Sequence, residues 1–149
     1  MNPEELTQEK VDGILYQYQM YQQEVESISQ RLNITEMSLG EIERAIEVTD
    51  RMNNVEKGDE ILIPIGAESF IHGVLAKPDT VIIGVGGGVC IAKTTEEAKE
   101  ELIKRKQEVV GVIEQLKTNL SQTTAELKKT KQVLTQIQQQ VQQQKQQQT

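Results

Sequence analysis

The sequence predicts an α+β fold, mainly α, in which a long antiparallel coiled-coil hairpin carries two β-hairpins at its connecting end. Two segments, 2–53 and 95–145, repeat apolar residues in steps of three and four, which is typical of coiled-coil helices. Between them lies a β-rich block, residues 58–94, with turns marked by Gly and Pro. We therefore treat residues 1–149 as one domain with three parts.

The first helix is predicted over residues 2–53, where Asn2 and Pro3 provide a cap and a first-turn proline. Its apolar steps form a seam, a stripe facing another helix. The predicted seam positions are Val11, Ile14, Tyr18, Tyr21, Val25, Ile28, Leu32, Thr35, Leu39, Ile42, Ile46 and Thr49.

The second helix is predicted over residues 95–145, after the sequence Thr94–Glu97, which resembles a capping box. From Gln136 onwards it is mostly glutamine, and such a low-complexity tail is expected to fray. Its predicted seam positions are Leu102, Lys106, Val109, Ile113, Leu116, Leu120, Thr123, Leu127, Thr130, Leu134, Ile137 and Val141.

Charge favours pairing of these two helices with each other. Residues 1–57 carry 12 acidic and 5 basic side chains, whereas residues 95–149 carry 7 acidic and 9 basic ones. Opposite charges beside a seam favour pairing of unlike helices. The alternative is an intermolecular coiled coil with the same periodicity.

The β block predicts two successive hairpins, with strands at Glu60–Ile65, Glu68–Leu75, Thr80–Val85 and Val89–Lys93. The strands are apolar on both faces, and isolated hairpins are marginal in water. We therefore expect hairpins of several subunits to assemble, with Pro64 at an edge or bulge. The expected assembly residues are Ile61, Ile63, Ile65, Phe70, Val81, Ile83, Val85, Val89 and Ile91.

Composition excludes several classes of function. The net charge of −7 disfavours binding to nucleic acid or to anionic membranes, because both need clustered Lys and Arg. A single cysteine, Cys90, excludes an internal disulfide, and the first residues lack the features of a signal peptide. The expected location is the cytoplasm.

One near-match to a chemical motif occurs at Gly87–Thr94, where GGVCIAKT has Ala92 in place of the last glycine of a phosphate-binding loop. Its centre has the character of a strand, and Gly86–Gly88 is better explained as a hairpin turn with positive φ. His72 and Cys90 alone cannot form a metal site. The sequence therefore predicts no enzyme activity, cofactor, catalytic residue or metal.

The order of long helix, two hairpins and long helix resembles the α class of archaeal prefoldin subunits. The resemblance covers essentially the full chain and is most specific at Glu60–Gly66 and Thr80–Glu97. It implies an ATP-independent co-chaperone in a hexamer of two α and four β subunits, with hairpins closed into β-barrels. Non-native clients would be held between coiled-coil tips and passed to a group II chaperonin.

In an antiparallel hairpin of helices, the tip is the end that holds both termini, and frayed seam residues there could contact a client. The alternative is that the same residues only complete the coiled coil. A structural, filament-forming coiled coil also fits the pattern. The candidate client-contact residues are Leu6, Val11, Ile14, Leu15, Leu134, Ile137 and Val141.

Overall fold

The structure is a computed structural model that describes residues 8–147, with side chains described for residues 8–143. Helix α1 spans Gln8–Arg51 and is followed by a 3-10 turn at Met52–Asn54. Four strands follow, and helix α2 spans Thr95–Gln147. The strands are β1 (Glu60–Gly66), β2 (Ser69–Val74), β3 (Thr80–Gly86) and β4 (Val89–Thr94).

The chain divides into two compact units, and the first comprises residues 1–36 and 112–149. In its described part, the seam residues Ile28, Ile113, Leu116 and Ile137 are buried, as the three-four spacing predicts. The two helices are joined by an ion pair between Lys117 Nζ and Glu36 Oε1 at 3.1 Å. This unit is therefore held by a narrow apolar seam flanked by charge.

The second unit comprises residues 37–111 and contains both hairpins. Lys106 Nζ lies 2.9 Å from Glu43 Oε1, and Lys99 pairs with Asp50. The later residue of α1, Asp50, pairs with the earlier residue of α2, Lys99. The two helices therefore run antiparallel, as predicted. The seam residue Thr49 is also buried here, and its hydroxyl donates to the Ala45 carbonyl oxygen at 2.7 Å.

The core of the second unit lies where β3 meets the helices. Ile83 of β3 is buried against Ala98 and Leu102 of α2, with Ala45, Ile46 and Val81 packed around them. Thr95 anchors the start of α2, because its backbone N–H donates to the Asp79 carbonyl oxygen at 3.2 Å. One face of β3 is therefore covered by the chain's own helices.

The capping box predicted at Thr94–Glu97 is present. The Glu97 backbone N–H donates to Thr94 Oγ1, and the Thr94 backbone N–H donates to Glu97 Oε2, both at 3.2 Å. These reciprocal bonds satisfy two backbone donors at the start of α2 and fix where the strand becomes a helix.

The strands form two separate antiparallel pairs, β1 with β2 and β3 with β4. Ile63 pairs with Ile71 in the first hairpin, and Ile83 pairs with Ile91 in the second. The register shifts after Pro64 in one and after Gly84 in the other, so Pro64 lies at a bulge as predicted. The two hairpins are one pattern repeated at an offset of 20 residues.

The tight turns of the two β-hairpins contain residues in the left-handed backbone conformation, with positive φ. Gly86, Gly87 and Gly88 all have positive φ, which confirms the turn predicted for the triple glycine. In the first hairpin the same role falls to Gly66, Ala67 and Glu68, with φ of 48° at Ala67 and 56° at Glu68. Since side chains there are strained, the first turn is held by its strands rather than by its residue types.

The helix ends differ in detail from the predicted ones. Helix α1 ends at Arg51 rather than residue 53, because the chain tightens into the 3-10 turn before the strands. Helix α2 continues to Gln147 instead of ending at residue 145, as glutamine is a good helix former. The predicted cap at Asn2 and Pro3 lies outside the described residues.

Candidate functional surfaces

The candidate client-contact residues fall into two groups. Leu15 and Val141 are exposed, at 45% and 42%, and can meet another molecule directly. Val11, Ile14 and Leu134 are half-buried and Ile137 is buried, so these four finish the seam. Leu6 lies outside the described residues.

Five exposed apolar residues of α1 are not among the predicted seam or client-contact residues, and two of these five lie close to Leu15. Tyr16 is 64% exposed and Met20 is 46% exposed. They are four residues apart, so they lie on one face of the helix, and Leu15 precedes them. The sequence feature that could have identified them is an apolar residue outside the three-four seam, because such a residue does not pack within the hairpin.

The charge near these residues is low. Asp12 Oδ1 accepts a hydrogen bond from Gln8 Nε2 at 3.0 Å. The part of α2 from residue 132 to residue 143 carries no charged side chain. An apolar segment of another protein can therefore approach Leu15, Tyr16 and Met20 with little loss of solvated charge.

The strands carry a second set of exposed apolar side chains. Of the nine predicted assembly residues, six are exposed and Ile61 is half-buried. Val81 and Ile83 differ from these, because they pack on the chain's own helices and Ile83 is only 5% exposed. The exposed members are Ile63, Ile65, Phe70, Val85, Val89 and Ile91.

Further exposed strand residues were not among the predicted ones. Leu62, Ile71, Val74 and Ile82 are all exposed, with Ile82 at 73%. The alternation along β3 explains the last of these, because Ile83 turns to the helices and Ile82 must turn away. Within the described residues, exposed apolar side chains thus lie on both faces of β1–β2, whereas β3–β4 exposes Ile82 on its outer face and Ile91 on the face of its partner Ile83.

An open apolar cleft lies beside β3. Ala45, Val48 and Leu102 of the helices line it together with Val81–Gly84, and Arg44 and Arg105 stand at its sides. No β4 residue lines it, so the cleft adjoins the edge of β3 that β4 does not cover.

Arg105 connects helix α2 to that edge. Its Nη2 donates to the Gly84 carbonyl oxygen at 2.7 Å, and its Nε and Nη2 donate to Glu101 Oε1 at 3.2 Å. Lys93 Nζ of β4 lies 3.6 Å from the other Glu101 oxygen. The hydrogen bond from Arg105 and the charge of Lys93 lower the pKa of the Glu101 carboxyl.

The near-match to a phosphate-binding loop does not have the geometry of one. Gly87 and Gly88 form the β3–β4 turn, and Val89–Thr94 is a strand, so its backbone N–H groups do not converge on an anion. His72 in β2 and Cys90 in β4 are both exposed. Within residues 8–147 no group of three potential metal-binding side chains occurs.

Neither helix has, in its described part, a stretch long and apolar enough to cross a membrane.

Comparison with known proteins identifies a family with this architecture. A family model described as "Prefoldin subunit" matches residues 21–147. Prefoldin subunit alpha of Methanococcoides burtonii is 32% identical over 118 residues, which cover 79% of this chain and 86% of that protein. Prefoldin subunit alpha of Pyrococcus horikoshii is 30% identical over 121 residues, covering 80% and 79%.

Solved structures show the same fold. Filamentous PFD from Methanocaldococcus jannaschii matches with a TM-score of 0.65 at 14% identity, covering 76% of this chain and 94% of that one. The prefoldin beta subunit from Thermococcus strain KS-1 matches with a TM-score of 0.54 at 15% identity, covering 84% and 89%.

Proposed function

Since the chain belongs to the prefoldin family of chaperone subunits, we propose that it captures non-native proteins in the cytoplasm without ATP. The contact surface is the exposed apolar face of Leu15, Tyr16 and Met20, with Val141 on the second helix. The single observation that carries this proposal is that Leu15, Tyr16 and Met20 are exposed off the seam in a part of α1 with little charge nearby, where they serve no packing within the hairpin.

Such a surface needs only to bury apolar side chains of its client. Non-native proteins expose apolar segments, and burying these against Tyr16 and Met20 removes apolar surface from water. Each contact is weak, so several subunits acting together would provide the holding strength. Nothing in this scheme needs nucleotide turnover.

The proposed partners are β-class prefoldin subunits, in a hexamer of two α and four β subunits. The support is the uncovered apolar surface of the strands, which one pair of helices cannot bury. Hairpins closed into a shared barrel would cover Ile65, Phe70 and Val89. Held clients would then be passed to a group II chaperonin.

The test is suppression of aggregation. The chain, assembled with a β-class subunit, is mixed with a chemically denatured protein diluted into buffer, and light scattering is followed with and without ATP. We expect equal protection in both conditions. Protection that requires ATP, or none at all, would remove the proposal.

A second candidate is a structural role as a filament-forming coiled coil. It is favoured by the exposed strands together with the fold shared with a filamentous prefoldin. Electron microscopy of the purified chain separates the two, because closed particles support the chaperone subunit and long filaments support the structural role.

A further inference from the structure

The outer edge of β3, the side away from β4, offers backbone groups to another strand. The Asp79 carbonyl oxygen accepts from the N–H of Thr95, the residue that follows β4, at 3.2 Å, so the backbone groups of Asp79 point to the β4 side of β3. Backbone groups alternate along an antiparallel strand. Thr80, Ile82 and Gly84 therefore direct their N–H and C=O groups outwards, to the edge that no strand within residues 8–147 covers.

Arg105 closes this edge at one point. Its Nη2 occupies the outward Gly84 carbonyl oxygen at 2.7 Å, and Glu101 holds the guanidinium in place from α2. A charged donor on a carbonyl is a strong competitor for an incoming amide. Only Thr80 and Ile82 keep both groups free for pairing.

The outer edge of β1 is limited at the equivalent place. The Asp59 carbonyl oxygen accepts from the Leu75 N–H at 3.0 Å, so Glu60, Leu62 and Pro64 face outwards by the same alternation. Pro64 has no N–H to donate. Here too, two residues are open and the third is closed, 20 residues before Gly84.

We propose that β1 of a second copy of this chain adds to the outer edge of β3, antiparallel, with Glu60 opposite Ile82 and Leu62 opposite Thr80. This pairing rests on the proposed assembly through hairpins. Four backbone hydrogen bonds can form in it, because the two open residues of one edge meet the two open residues of the other.

The backbone pairing cannot extend further at either end of this register. One step further, Gly58 would meet Gly84, but the Gly58 N–H is already donated to the Leu75 carbonyl oxygen at 2.9 Å and the Gly84 oxygen is held by Arg105. At the other end Pro64 would meet Pro78, and neither has an N–H. Arg105 thus fixes where the added strand stops.

Side chains fit the same arrangement. Leu62 and Ile82, both largely exposed, lie together on the outer face of the extended sheet. Ile61, on the opposite face of β1, comes next to Val81 on the helix side of the sheet. There the open cleft lined by Ala45 and Val48 can receive it.

Cysteine cross-linking tests the register. In a Cys90→Ser background, chains carrying Leu62→Cys are mixed with chains carrying Thr80→Cys, and separately with chains carrying Ile82→Cys. Residues opposite each other in a ladder have the Cα separation that a disulfide needs. We expect the 62–80 heterodimer to form about tenfold faster than the 62–82 heterodimer, because the 62–82 link requires a shifted strand register that loses backbone hydrogen bonds. Equal rates, a faster 62–82 link, or no heterodimer would overturn the pairing.

Removing the cap tests the role of Arg105. Slipping to Leu62 opposite Ile82 places Glu60 opposite Gly84, whose carbonyl oxygen Arg105 already holds. Arg105→Met should raise the 62–82 yield about fivefold by freeing that hydrogen bond, while Arg44→Met, beside the same cleft, leaves it unchanged. Glu101→Gln, which only loosens the arginine, should act in the same direction. If neither Arg105→Met nor Glu101→Gln raises the yield, Arg105 is no cap. Client protection by the α–β complex, measured separately, tests the capture function independently of the register.

Discussion

Glu101 is the residue whose charge joins strand to helix, since it contacts both Lys93 and Arg105. Its pKa is lowered by these partners, so the ionised form stabilises the fold. That stabilisation is fully present above 4.5, the ordinary value, and is lost as pH falls through the lower folded pKa. We predict that Glu101→Gln lowers the thermal midpoint at pH 7 and that the difference closes as the pH falls below that range.

Glu100→Gln is the matched control, since this neighbouring glutamate is exposed and has no ion pair among the described residues. It should follow the wild type at every pH. A Glu101→Gln difference that stays constant from pH 7 to pH 3 would show that the carboxylate charge is not the cause.

Thr94 caps helix α2 through its hydroxyl. We predict that Thr94→Ala lowers the free energy of unfolding by about 1 kcal/mol, the usual cost of losing such a cap. Thr94→Ser keeps the oxygen and should cost much less. Urea unfolding at fixed subunit concentration measures both, and equal losses would show that the methyl group rather than the hydroxyl matters.

At this scale, sequence could predict which residues are in the seam but not all that are outside it. Every predicted seam residue with a described side chain is at least half-buried, except Val141, because a three-four repeat fixes one helix face. No such repeat predicts the exposure of Tyr16 and Met20. Their exposure depends on the position of the partner helix, which a list of apolar residues does not give.

Strand β3 shows how one element can serve two surfaces, because Ile82 and Ile83 are neighbours that face opposite sides. We predict that Ile83→Ala costs about 2–5 kcal/mol of unfolding free energy, since it leaves a cavity beside Ala98 and Leu102. Ile82→Ala should leave the stability of the subunit nearly unchanged and weaken assembly instead.

Unfolding at fixed subunit concentration and native mass spectrometry together measure the two effects. If Ile82→Ala destabilises the separate subunit as much as Ile83→Ala does, the assignment of the two faces is wrong.

The strands could be located from sequence because Gly66 and Gly86–Gly88 mark their turns. Which face of β3 packs inwards could not be predicted, since Val81, Ile82 and Ile83 are all apolar and alternation carries no information there. The 20-residue repeat of the hairpins was hidden as well. It is a repeat of register and turn geometry, with Pro64 matching Gly84 and Glu68 matching Gly88, rather than of residue identity.

For the whole molecule, the proposed function assigns holding of clients and assembly to two separate apolar surfaces. Leu15, Tyr16 and Met20 lie on helix α1, and the exposed residues of β1–β4 lie in the other unit. Because no residue belongs to both, substitutions can separate the two activities. We predict that Leu15→Ser, Tyr16→Ser and Met20→Ser together abolish client protection without changing the mass of the complex.

The most direct measurement is therefore the aggregation of a denatured client in the presence of the α–β complex, comparing wild type with this triple variant. Asn33→Ser, Ile34→Ser and Met37→Ser, on the same helix and also including two exposed apolar residues, provide the matched control. The account predicts that the first variant loses protection while the control keeps it, at equal native mass. Full protection by the Leu15, Tyr16 and Met20 variant would contradict it.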